Sequence, residues 1–131
     1  MKHIFIVFLA LFSIPIHAQQ KEVFSIGPVH ANPGEKATGK LIVENGIDEG
    51  SFIPITIIHG KKQGPVLTLS AGVHGTEYVP VIALQKIARE IDPSELSGIL
   101  VLVQVTNIPS FLGRAVYYCP PDQIYIIHRR Y

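Results

Sequence analysis

Two side chains in this sequence could share a metal ion: His74 and Glu77, three residues apart across Gly75. A neutral imidazole and a carboxylate are both good zinc ligands. A catalytic zinc takes three such protein ligands and keeps one position open. If a helix starts near Thr76, residues three apart lie on one face and the two groups can converge on a point. The same residues also read as a surface histidine followed by a helix-starting glutamate that suits the positive end of the helix dipole. An isolated His-x-x-Glu does not choose between these readings.

The elements around the pair decide where it stands. Pro65 to Ala71 is a near-continuous apolar run that breaks at Gly72, the pattern of a strand buried on both faces. The turn after such a strand is where open α/β sheets place their ligands. From Tyr78 to Ile91 the apolar residues Val79, Ile82, Ala83, Ile87 and Ile91 recur at helical spacing, widened by Val81, Leu84 and Ala88. Pro80 falls in the first turn, where proline is tolerated, and Asp92-Pro93 ends the helix. Gly98 to Val105 reads as a second buried strand. Strand, helix and strand make a βαβ unit with parallel strands. The segment Thr106 to Arg114 then leaves the same sheet edge as His74.

Upstream, Thr38 to Val43 reads as an edge strand and Phe52 to Ile58 as its neighbour. The turn signals Asn45-Gly46 and Asp48-Glu49-Gly50 between them suggest a hairpin. Pro54 places the second of these at an edge or at a strand's beginning. Gln19 to Pro33 reads as a linker or a weak first strand. His59 falls in a surface loop with no metal role, and Tyr78 reads as a packing residue.

The run from Gly64-Pro65-Val66 through Ala71-Gly72-Val73-His74-Gly75-Thr76-Glu77-Tyr78 resembles the entry to the succinylglutamate desuccinylase/aspartoacylase family, zinc-dependent amidohydrolases related to the zinc carboxypeptidases. The resemblance implies that His74 and Glu77 are the first two ligands of a single Zn2+. Asn107-x-Pro109-x-Phe111 followed by Arg114 is also similar to the family. It implies that Arg114 lies near the substrate, where a guanidinium can take a carboxylate through two parallel hydrogen bonds; the alternative is a solvent-facing charge. The implied fold is α/β: part of a zinc-carboxypeptidase-like domain, with an N-terminal β-hairpin followed by a βαβ unit of a mostly parallel sheet. The implied reaction is hydrolysis of the amide bond of a small N-acyl amino acid or peptide-like substrate by metal-activated water.

The resemblance runs from about Ile42 to Asp122, giving an N-terminal part of the catalytic domain over 38–122, an extension over 19–37 and a tail over 123–131 unlike the family. Pro120-Pro121-Asp122 fits the family's lead-in to an Asn-Arg substrate-binding pair, which does not follow. By the same resemblance, the third zinc ligand, a histidine, and the general-base glutamate are missing here, so no catalytic residue is identified in this chain. His128, in the tail, has no matching context. The abrupt ending suggests a frameshift or premature stop, and with it an alternative function: a catalytically inactive remnant or an exported binding module.

Composition adds limits. The chain has 131 residues, a formal net charge of +1 and 47% hydrophobic residues. That is enough for one core, and it gives no electrostatic case for nucleic acid as a partner. A single cysteine, Cys119, excludes a disulfide within the chain and a cysteine zinc site. Residues 1–18 have a short basic start, a compact apolar run from Ile4 to Phe12, and Ala18 before the Gln19-Gln20 pair. They read as a secretory signal peptide leading to the periplasm or the medium, with no stable membrane anchor.

Overall fold

The structure, a computed structural model, describes residues 22–117. The segment read as a signal peptide, Cys119, His128 and the Pro120-Pro121-Asp122 motif lie outside the described residues. Among the described residues, no helix is long and apolar enough to cross a membrane.

Two short strands, β1 (Phe24–Ile26) and β2 (Val29–Ala31), pair antiparallel across the Gly27-Pro28 turn. Three long strands follow: β3 (Glu35–Val43), β4 (Ser51–His59) and β5 (Lys62–Ser70). Helix α1 (Tyr78–Glu90), strand β6 (Ser97–Val103) and helix α2 (Ile108–Gly113) complete the order. The larger sheet runs β3-β4-β6-β5. The hairpin β3–β4 is antiparallel, as is the pairing of β4 with β6, whereas β5 and β6 are parallel and joined through α1. The hairpin and the βαβ unit therefore stand where the sequence placed them, in an α/β fold whose described sheet is mixed.

Alternation along the central strands sorts the core onto two faces. Ile58, Leu100 and Leu102 meet Val81 and Leu84 of α1 on one face, together with Ala71 and Val105. Ile55, Ile57 and Val101 meet Val29 and Ala31 of β2 on the other. Where the sequence suggested a linker or a weak first strand, residues 24–31 form a small hairpin packed on one face of the sheet, and Glu35 begins β3. At the far side of α1, the Lys36 ammonium of β3 donates to the Ala88 and Arg89 carbonyls at 3.0 and 3.2 Å, a cation at the negative end of the helix.

Four expectations are corrected. The run Pro65–Ala71 is not doubly buried: β5 starts earlier, at Lys62, and forms one edge of the described sheet, with Val66 and Leu67 exposed. Strand β6, paired by β4 and β5, buries side chains on both faces, as does the second half of β4. An apolar run reports what a strand can bury and carries no record of which neighbours it has. Pro54 sits inside β4, an interior strand, because the β4–β6 ladder begins only at Ile55 and asks nothing of the preceding residue. His59 is the last residue of β4 and only 4% exposed. Its Nδ1 lies 3.0 Å from the Ala31 carbonyl, which can only accept, so that nitrogen carries the proton and the buried ring is satisfied. In α1 the inward stripe is Val81, Leu84, Ile87, Ala88 and Ile91; Val79, Ile82 and Ala83 face outward. The helix is apolar around most of its girth, so hydrophobic spacing alone did not select the buried side.

Candidate functional site

Strand β5 ends at Ser70, and the backbone turns at Gly72, whose φ of +63° lies in the left-handed region that glycine enters freely. The turn from Gly72 to Glu77 is anchored on the segment leaving β6. Thr106 donates to the Ala71 carbonyl from its backbone N–H at 2.8 Å and its hydroxyl at 2.9 Å, and the Asn107 N–H donates to the Gly72 carbonyl at 3.0 Å. Asn107 also caps α2 by accepting from the Ser110 N–H at 3.1 Å.

Gly75 makes the closest contact of the turn. Its N–H donates to the Ala115 carbonyl at 2.9 Å. A Cβ at this position would run into the Ser110 carbonyl and the Ala115 oxygen, both backbone atoms. Only a residue without a side chain lets the turn lie this close to the start and end of α2.

Within the turn, His74 and Glu77 face each other. The imidazole Nδ1 is 2.8 Å from Glu77 Oε1, and the His74 backbone N–H donates to Oε2 at 3.4 Å. An ionised carboxylate only accepts, so Nδ1 carries the proton in this arrangement. The hydrogen bond from the His74 ring, joined by that from the His74 backbone, holds the Glu77 carboxyl below its ordinary range. Both side chains are partly exposed, open to a ligand from outside. The sequence anticipated this meeting through helical spacing, but the cause is different. Helix α1 begins at Tyr78, and Glu77 occupies the N-cap position without capping, because its carboxylate is turned back onto His74. The turn closes through the Glu77 N–H, which donates to the His74 carbonyl at 3.2 Å.

The donor types suit zinc. In a tetrahedral shell with bonds of about 2.0–2.1 Å, neighbouring ligand atoms stand ~3.3 Å apart. Nδ1 and Oε1 are 2.8 Å apart, so a small outward movement would admit the ion once the Nδ1 proton is released. The pair offers two donor atoms. No group of three or more His, Cys, Asp or Glu that could hold a metal occurs among the described residues.

Arg114 closes α2 in the left-handed conformation, φ 51°, and its N–H is directed at the Phe111 and Ser110 carbonyls. Its side chain is exposed. Through its neighbour Ala115, the Arg114 backbone joins the turn that carries His74. Tyr117, in this corner, went unnoticed in the sequence, whereas Tyr78 packs as expected. The Tyr117 ring stands perpendicular to the His74 imidazole at 4.9 Å, and the Tyr78 ring meets Phe111 at 5.4 Å. Ser110 is wholly buried and its hydroxyl has no hydrogen-bond partner among the described residues. Replacing Ser110 by alanine is therefore expected to leave stability unchanged or raise it by about 1 kcal/mol, since an orphaned hydroxyl is removed. Urea unfolding measures this, and a clear loss of stability would show that the hydroxyl is satisfied after all.

Residues 63–122 match the profile of the succinylglutamate desuccinylase/aspartoacylase catalytic domain. The chain is 33% identical over 75 residues to an N-alpha-acetyl-L-2,4-diaminobutyric acid deacetylase of Halomonas elongata, covering 54% of this chain and 21% of that protein. It superposes on a succinylglutamate desuccinylase/aspartoacylase from Rhodobacter sphaeroides with a TM-score of 0.53 and 28% identity, over 61% of this chain and 25% of the other. An aspartoacylase family protein from Mesorhizobium loti shares the fold at a TM-score of 0.59 and 21% identity, over 72% and 29% of the two chains. The chain thus spans 21% of the length of the deacetylase and between 25% and 29% of these solved structures.

Proposed function

This chain belongs to the succinylglutamate desuccinylase/aspartoacylase family, as part of its catalytic domain, and from that premise we propose that His74 and Glu77 are two ligands of a hydrolytic zinc centre acting on small N-acyl amino acids. The observation that carries the reading is the convergence of Nδ1 and Oε1 to 2.8 Å in a partly open turn beyond a strand of the sheet. Zinc held there would supply Lewis acidity toward an acyl carbonyl and toward water. The chain's own part is to present the two ligand atoms together. The Glu77 carboxylate, held below its ordinary range by the His74 hydrogen bonds while the ion is absent, would supply negative charge to a dication. Arg114, at the end of α2, would take the carboxylate that every N-acyl amino acid carries. The Halomonas relative acts on an acetylated diamino acid, so N-acetylated amino acids are the substrate class to try first.

A second reading is a module that binds without turnover: among the described residues two donors converge, where a catalytic zinc takes three. Zinc titration of the purified chain, followed by the NMR signals of His74 and Glu77, tests the metal reading. Saturable changes at both residues are expected, weakened at least tenfold in His74→Ala. Binding that His74→Ala leaves untouched would sink it. Release of acetate from N-acetylated amino acids, lost in the same variant, separates catalysis from binding alone.

A further inference from the structure

We propose that Tyr117 is a positioning residue for His74, fixing the imidazole so that Nδ1 faces Glu77. The need for such a residue follows from exposure. The His74 and Glu77 side chains are 34% and 43% exposed, and one hydrogen bond between groups this wet holds a ring only weakly against rotation. The bond also constrains one nitrogen and leaves the plane of the ring free to swing about it. Tyr117 supplies the missing restraint. Its ring meets the imidazole at 90° with centroids 4.9 Å apart, the edge-to-face arrangement that the aromatic quadrupole favours.

The backbone holds Tyr117 at this place. The left-handed turn at Arg114 lets the Ala115 N–H donate to the Ser110 carbonyl at 3.0 Å, while the Ala115 carbonyl accepts from Gly75, the residue after His74. The ring of residue 117 therefore extends from a point tied to the same turn as the imidazole it meets. Restraint of a ligand histidine by a neighbour that never touches the ion is a general way of tuning metal affinity. The proposal deepens the zinc reading, but its first measurement does not depend on that reading.

That measurement is the NMR of the His74 ring in the metal-free chain, assigned against His74→Gln, for the wild type, Tyr117→Ala and Tyr117→Phe. Tyr117 is 67% exposed, so the fold should survive both substitutions, and the backbone amide spectrum checks that it does. Contacts between the ring protons of residue 117 and His74 are expected in the wild type and in Tyr117→Phe. In Tyr117→Ala the His74 ring signals should move toward those of a free imidazole. In a zinc titration, Tyr117→Ala should bind about tenfold more weakly and Tyr117→Phe should restore the affinity. His74 ring signals unchanged in Tyr117→Ala, or unrestored by phenylalanine, overturn the proposal. A wild-type chain that binds no zinc defeats the metal reading alone, and the ring signals still decide the role of Tyr117.

Discussion

Alanine at Gly75 is expected to destabilise the folded chain by about 3 kcal/mol, the cost of overpacking against atoms that cannot step aside. The atoms in the way are the Ser110 carbonyl and the Ala115 oxygen, both main chain and both already engaged in hydrogen bonds. A methyl group there must push the segment following β6 away from the turn, which strains the Gly75 to Ala115 hydrogen bond and draws Tyr117 off His74. Urea unfolding gives the stability. The control is Gly46→Ala in the hairpin tip, where an added Cβ meets nothing within 4 Å and the change should stay within about 0.5 kcal/mol. Equal costs at the two glycines would mean that the turn and α2 do not pack as described.

A second contrast concerns two leucines on the same face of the sheet. Leu67 of β5 stands opposite Leu100 in the parallel register, two residues before Leu69, which stands opposite Leu102. Leu102 is 0% exposed and Leu67 is 55% exposed. Leu102→Ala should cost about 2–5 kcal/mol, because its cavity lies among side chains of β4, β6 and α1 that cannot all collapse into it. Leu67→Ala should cost less than about 1 kcal/mol. Urea midpoints measured on both variants test the strand order directly. A Leu67→Ala penalty matching that of Leu102→Ala would place β5 in the interior, contrary to the order β3-β4-β6-β5.

The same leucines show what was legible in the sequence. Pro65–Ala71 and Gly98–Val105 are both near-continuous apolar runs, and both read as buried strands. The reading holds for β6 and fails for β5, because burial depends on a strand's place in the sheet and on what packs over its faces, which local pattern does not encode. The hairpin was readable, since turn residues and strand formers alternate there without conflict. The βαβ unit was readable for the same reason. The inward face of α1 was not, because apolar residues lie on both of its sides. His59 was assigned to a loop because a histidine beside Gly60 and Lys61 looks like surface; its burial depends on the Ala31 carbonyl, 28 residues away.

At the site, the meeting of His74 and Glu77 was anticipated for an incomplete reason. Spacing of three was enough to suggest proximity, yet the residues meet in a turn ahead of the helix. Gly75 marks that difference. Its place between the two was visible from the start, but its purpose, making room for a carbonyl from a segment some 35 positions later, was not. Tyr117 went unnoticed for the same cause: nothing in its neighbourhood in the chain says which ring it will meet.

The lysine reaching from β3 to the end of α1 does something that side-chain alternation cannot. Sliding a strand by two residues along its neighbour returns every side chain to its original face, so hydrophobic pattern does not distinguish the two alignments. The loop between β3 and β4 is long enough to absorb such a slip. Displaced by two residues, about 6.8 Å, the Lys36 ammonium would lose the Ala88 and Arg89 carbonyls altogether. One charged side chain, on a position that is otherwise unremarkable, thus acts as a locating pin that singles out one alignment of β3 from its near-degenerate neighbours.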